Sequence, residues 1–135
     1  MKYFLLLALF FIQGGNTITV KKAWMRPAPE TFNTACYCTV INNGNDPDTL
    51  YKAASDISDD VDIHETYKKD DMMGMRPVKA LVIAPHDSLI FKPGGYHIMM
   101  MNLKKNIEIN NKENISIFFK IAGEIKIEAT VGNIN

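Results

Sequence analysis

Pro93-Gly94-Gly95-Tyr96-His97-Ile98-Met99-Met100-Met101 is the stretch whose reading decides the fold. A proline followed by two glycines is turn chemistry, and the residues after it have the composition of a strand. Successive side chains of a strand point to opposite faces. Tyr96, Ile98 and Met100 therefore share one face, and His97, Met99 and Met101 the other. The first set is ordinary core material. The second sets an imidazole beside thioethers, which suits a soft metal ion better than a core.

The same alternation recurs on both sides. Downstream, after a polar stretch over 102–114, Ile115, Ile117, Phe119 and Ile121 alternate in one predicted strand. Gly123 turns the chain, and Ile125, Ile127, Ala129 and Val131 alternate in the last. Upstream, residues 18–24, 34–41, 49–54, 81–83 and 88–91 read as strands. They are parted by turn clusters such as Asn42-Asn43-Gly44-Asn45-Asp46-Pro47 and Pro85-His86-Asp87. Asp60-Val61-Asp62-Ile63-His64 alternates strictly, with Val61 and Ile63 inward and His64 outward at the strand end. Residues 68–74 read as a charged, methionine-bearing loop. Short strands at regular spacing, with no long amphipathic helix, repeat or linker, predict an all-β domain, a sandwich or barrel.

A length of 135 residues suits one domain. The formal net charge is zero, which argues against a nucleic-acid binder with its basic face. Residues 1–17 read as a signal peptide: Met1-Lys2 is a short positive start, 3–12 an apolar run, and Gly14 to Thr17 small residues for cleavage. The run is short for a bilayer span, so 18–135 is expected to be an exported, periplasmic domain without a membrane span. A retained anchor or a buried strand is the alternative for 1–17.

Cys36 and Cys38 lie two apart in a β-rich stretch and fall on one face of a strand. Strand neighbours are badly placed for a disulfide with each other. The favoured reading is a pair of small core residues; the others are a redox pair or a second Cu(I) site.

His64, Met75, His97 and Met99 are the candidate metal ligands. Two imidazoles and two thioethers would hold one Cu(I) ion, whereas Zn²⁺ prefers thiolate, imidazole and carboxylate, and Ca²⁺ wants oxygen. Taken singly, Met99 also reads as edge packing and His64 as a surface histidine. The joint arrangement is the stronger signal, because both His–Met faces fall opposite the apolar ones. Met72, Met73 and Met101 read as a hydrophobic lip or as transient copper contacts, and His86 as exposed. Glu65 and Arg76 are charged neighbours, solvated by default, or else orienting His64 or contacting a partner.

The spacing His-x10-Met-x21-His-x-Met, with Met75-Arg76-Pro77-Val78 and the Lys92 to Met99 segment, resembles the periplasmic copper chaperones of the PCuAC (DUF461) family. Trp24-Met25-Arg26-Pro27 resembles its early Trp-x-Arg-Pro, and His64-Glu65-Thr66 its His-Glu segment. The resemblance implies a cupredoxin-like Greek-key β-sandwich binding one Cu(I) through His64, Met75, His97 and Met99. It further implies delivery to the two-copper centre of cytochrome c oxidase subunit II, directly or through a Sco-type thiol protein. Asp71 stands where the family often has glycine, Gly74 where a longer residue is usual, and no His- and Met-rich tail follows.

The expected function is thus that of a monomeric metallochaperone, not an enzyme. Nothing resembles a hydrolase elbow, a phosphate loop or a paired acid–base site. Blue-copper electron transfer needs a cysteine near His97, and there is none in sequence. Copper sequestration for tolerance, and an exported interaction domain without metal, are the alternatives.

Overall fold

The computed structural model describes residues 17–132, so the leader reading for 1–17 lies outside the described residues except at Thr17. The chain forms ten strands: β1 (Ile18–Met25), β2 (Thr34–Asn42), β3 (Asp48–Ser55), β4 (Asp60–Lys69), β5 (Met72–Pro77), β6 (Leu81–Ile83), β7 (Ser88–Ile90), β8 (Tyr96–Met101), β9 (Lys112–Phe119) and β10 (Gly123–Val131). No helix occurs among the described residues. The expected all-β architecture is the one formed.

Hydrogen bonding runs in the order β5-β4-β8-β2-β1-β10-β9-β3-β6, with β7 also paired to β2. Every pairing is antiparallel except β1 with β10. The path closes over a single core, bringing β3 into contact with β4. The core takes the alternate residues that periodicity marks: Cys36, Cys38 and Val40 from β2, Ile63 from β4, Ile98 and Met100 from β8, Ile115, Ile117 and Phe119 from β9, and Ile125 and Ile127 from β10. Burying each large apolar side chain here stabilises the fold by roughly 1.5–3 kcal/mol.

Both cysteines are free thiols within this core. Burial pushes the Cys38 thiol up to about 12, and burial with the Cys38 charge pushes Cys36 up as well. They are core residues and stand on the face of β2 away from the His–Met set, as the favoured reading has it.

Three features differ from the pattern-based expectation. The strand predicted to reach Ile121 ends at Phe119, and Ile121 is 68 % exposed. The buried Asp48 carboxylate accepts the N–H groups of Ile121 and Ala122, both at 2.9 Å, and so holds the chain in a turn there. Residues 68–74 are not a loop: β4 runs on to Lys69 and β5 starts at Met72. The two-residue turn between them places Asp70 (φ 52°) and Asp71 (φ 64°) both in the left-handed region, the backbone of a type I′ hairpin. As a result His64 sits in the middle of β4 rather than at its end.

The turn before β8 follows its sequence closely. Gly95 N–H bonds the Lys92 carbonyl at 2.9 Å and Gly94 has φ 82°. That is a type II turn, with proline at its second position and glycine where positive φ is required. It delivers the chain into β8 in the register that sends His97 away from the core.

Candidate metal centre

β4 and β8 pair so that His64 lies opposite His97 and Asp62 opposite Met99. Directly opposed residues share a face. On β5, Pro77 opposes His64 and Met75 opposes Thr66, which places Met75 on that face too. On β2, Ala35 opposes Met99. One sheet face therefore carries His64, Met75, His97 and Met99, gathered from three adjacent strands. Sequence alone did not supply the Met75 placement, because the β4–β5 hairpin was not visible in it.

The imidazole rings meet edge to face, with centroids 5.6 Å apart. His97 is only 2 % exposed, although it points away from the core. Its cover comes from β2, where the Tyr37 ring lies 6.5 Å from the His97 ring and in turn packs on Trp24 at 4.7 Å. The Arg26 guanidinium sits over Tyr37 at 5.6 Å. A cavity of about 260 Å³ opens beside His97, lined also by Arg26, Tyr37, Thr66, Met73, Met75 and Gly94.

Each ring keeps one nitrogen free. The Gly95 carbonyl lies 3.2 Å from His97 Nδ1 and can only accept, so Nδ1 carries the proton and Nε2 holds a lone pair. That Nε2 is buried without a hydrogen-bond partner, and so is Nδ1 of His64. The other nitrogen of His64 faces Asp62 Oδ2 at 3.9 Å, too long for a hydrogen bond. Burial lowers the proton affinity of His97, the His64 charge adds to that, and the Gly95 bond opposes it. The net effect is a neutral ring with an available electron pair.

The far face of the hairpin is braced. Arg76 Nε donates to Glu65 Oε1 at 2.6 Å, and the same guanidinium lies 4.9 Å from the Tyr67 ring centroid. Tyr67 occupies the space over Gly74: a methyl added at Gly74 would lie 2.6 Å from Tyr67 Cζ and Oη. Glycine at 74 is thus what lets the aromatic ring lie flat on the strand. Glu65 and Arg76 serve the hairpin rather than orienting His64.

Tyr37 and Thr66 were not singled out as site residues by the sequence; Met73, read there as a lip residue or a transient copper contact, lines the cavity. Arg26 was visible only as part of Trp24-Met25-Arg26-Pro27. His86, the third histidine, is exposed and bonds Asn45 Oδ1 at 3.0 Å.

Fold and site together define a class: a single β-sandwich with an imidazole–thioether cluster on one sheet face. The family model described as "Putative lipoprotein LpqE-like" matches residues 18–131, and the chain belongs to that family, which is of PCuAC (DUF461) type. A relative named "Putative lipoprotein Lxx21020", from Leifsonia xyli subsp. xyli, is 31 % identical over 103 residues, 76 % of this chain. The chain spans 61 % of that relative's length. The copper-bound PCuAC domain from PmoF2 superposes with a TM-score of 0.71 at 23 % identity, covering 87 % of this chain and 94 % of that one. The solution structure of CuI-DR1885 from Deinococcus radiodurans gives a TM-score of 0.65 at 25 % identity, covering 88 % and 82 %. The fold is the cupredoxin-like fold of those domains.

Proposed function

We propose that this domain is an exported Cu(I) carrier, not an enzyme, which holds one ion between His64, Met75, His97 and Met99 and passes it to another protein. The observation that carries this reading is the pair of buried ring nitrogens left without partners on opposed histidines. A buried polar atom without a hydrogen bond costs about 1–3 kcal/mol, so one on each of two opposed rings calls for a ligand. Imidazoles joined by thioethers favour a soft monovalent ion over Zn²⁺ or Ca²⁺. The similarity to a copper-bound PmoF2 domain and to CuI-DR1885 supports the same choice.

The acceptor we propose is the two-copper centre of cytochrome c oxidase subunit II, or a Sco-type thiol protein upstream of it. Export rests on the leader-like residues 1–17 and agrees with the lipoprotein names of the family and its relative. Cys36 and Cys38 are both core residues, so neither is placed to carry a lipid.

Anaerobic titration of the full chain against a colorimetric Cu(I) chelator tests the site. One ion per chain is expected, with His64→Ala/His97→Ala losing more than about 100-fold in affinity while the far-ultraviolet spectrum is unchanged. Equal affinity in the double variant refutes the site. Mixing the loaded domain with the soluble domain of an oxidase second subunit tests the role. Copper moving to that subunit supports delivery, and copper staying put favours sequestration.

A further inference from the structure

Met73 lies two residues before Met75 on β5 and opposes Lys68, so it shares the sheet face of Met75 and His64. It lines the same cavity as Met75 and His97. Exposure falls in steps along this line: 66 % at Met73, 55 % at Met75 and 2 % at His97. A methionine that serves packing is buried, and Met73 is not. Its neighbour Met72 is still more exposed, at 74 %, but opposes Lys69 and points to the other face.

We propose that Met73 is an outer thioether relay: it receives Cu(I) at the cavity mouth, hands it inward to Met75 and His97, and takes it back on release, without belonging to the resting donor set. The inference deepens the carrier reading and rests on it. Cu(I) keeps its charge throughout, and each step exchanges one neutral donor for another. A soft neutral ligand suits such a step, because it holds a soft ion weakly and needs no proton to leave. The brace of Tyr67, Arg76 and Glu65 lies on the opposite face of the hairpin, so Met73 is free to swing over the cavity while the strand beneath it stays in register.

The test is stopped-flow transfer of Cu(I) between the full chain and a colorimetric Cu(I) chelator, in both directions and without oxygen. Wild type is compared with Met73→Leu, Met75→Leu and Met72→Leu. Leucine keeps the apolar bulk and removes the sulfur. Met73→Leu is expected to slow loading and release by about tenfold while equilibrium affinity stays within about threefold of wild type. Met72→Leu is expected to match wild type in both measurements, and Met75→Leu to lose equilibrium affinity. Wild-type rates in Met73→Leu overturn the relay. So does an equal slowing in Met72→Leu, which would trace the effect to the hairpin surface, or an affinity loss matching that of Met75→Leu, which would make Met73 a resident ligand. Failure of wild type to take up Cu(I) at all would refute the carrier reading itself, and it is read separately in the equilibrium titration.

Discussion

His64 and His97 stand directly opposite one another on β4 and β8, ring centroids 5.6 Å apart, each with a buried nitrogen that no described residue satisfies. The fold thus holds one unsatisfied polar atom on each ring at a cost in stability. Leucine at 97 removes the unsatisfied nitrogen, and the Gly95 carbonyl that loses the Nδ1 bond still accepts the Thr66 N–H, so the gain and the loss nearly offset. We therefore expect His97→Leu to leave the metal-free denaturation midpoint unchanged or to raise stability by up to about 1 kcal/mol, while Cu(I) affinity collapses. Urea titration of both proteins checks this. A metal-free destabilisation above about 2 kcal/mol would mean that the ring serves packing.

The buried position of His97 sets a pH dependence. Burial, helped by the nearby His64 charge, holds its imidazole below the ordinary value of about 6.5. As pH falls through that value the unfolded chain takes up a proton that the folded ring refuses. The contribution to stability is full above this pH and declines below it, until the folded ring protonates too. If His97 is a ligand as proposed, copper needs its neutral ring, and protonation of His97 should weaken affinity only below about pH 6.5. Following the His97 ring signals by NMR in the metal-free protein gives the midpoint directly. A value at or above that of free imidazole would contradict the assignment.

Gly74 is held to glycine by the Tyr67 ring, so Gly74→Ala should force that ring off the strand. Overpacking of this kind costs about 1–3 kcal/mol. The hairpin should loosen, and Cu(I) affinity should fall with it through Met75. Adding Tyr67→Ala removes the clash, and the double variant should recover part of the lost affinity. Chelator competition on the single and double variants decides the matter; no recovery would place the damage elsewhere.

Cys36 and Cys38 should be silent towards thiol reagents in the folded protein. Both are buried, and burial keeps both protonated, while the thiolate is the reactive form. A colorimetric disulfide reagent should label neither under native conditions and both in denaturant. Prompt native labelling would reopen the redox reading.

The strands were legible because the core is filled by strict alternation. Ile115, Ile117 and Phe119, then Ile125, Ile127 and Ala129, leave little choice of face. The His97–Met99 face followed from the same rule. What was not legible was the β4–β5 hairpin. Its turn is Asp70-Asp71 rather than the Asn-Gly or Asp-Gly that normally announces a type I′ turn, and it follows the charged pair Lys68-Lys69. Without the hairpin, Met75 had a spacing but no register, and Met73 had no face. The burial of His97 was hidden for another reason: the cover is Tyr37, sixty residues away in sequence, and no local pattern reports a ring arriving from another strand. Ile121 was misread because its apolar character continues the period of β9, whereas Asp48, a distant carboxylate, captures its N–H.

The register of β8 has a further consequence. Ile98 and Met100 seal the interior while His97 and Met99, interleaved with them, face the cavity side, so a single-residue insertion after Gly95 would exchange the two sets. Such a frame slip would drop imidazole into the hydrocarbon interior and lift isoleucine to the surface. The turn that enters β8 and the strand itself therefore admit no single-residue insertion or deletion without forfeiting the packed interior and the donor face together.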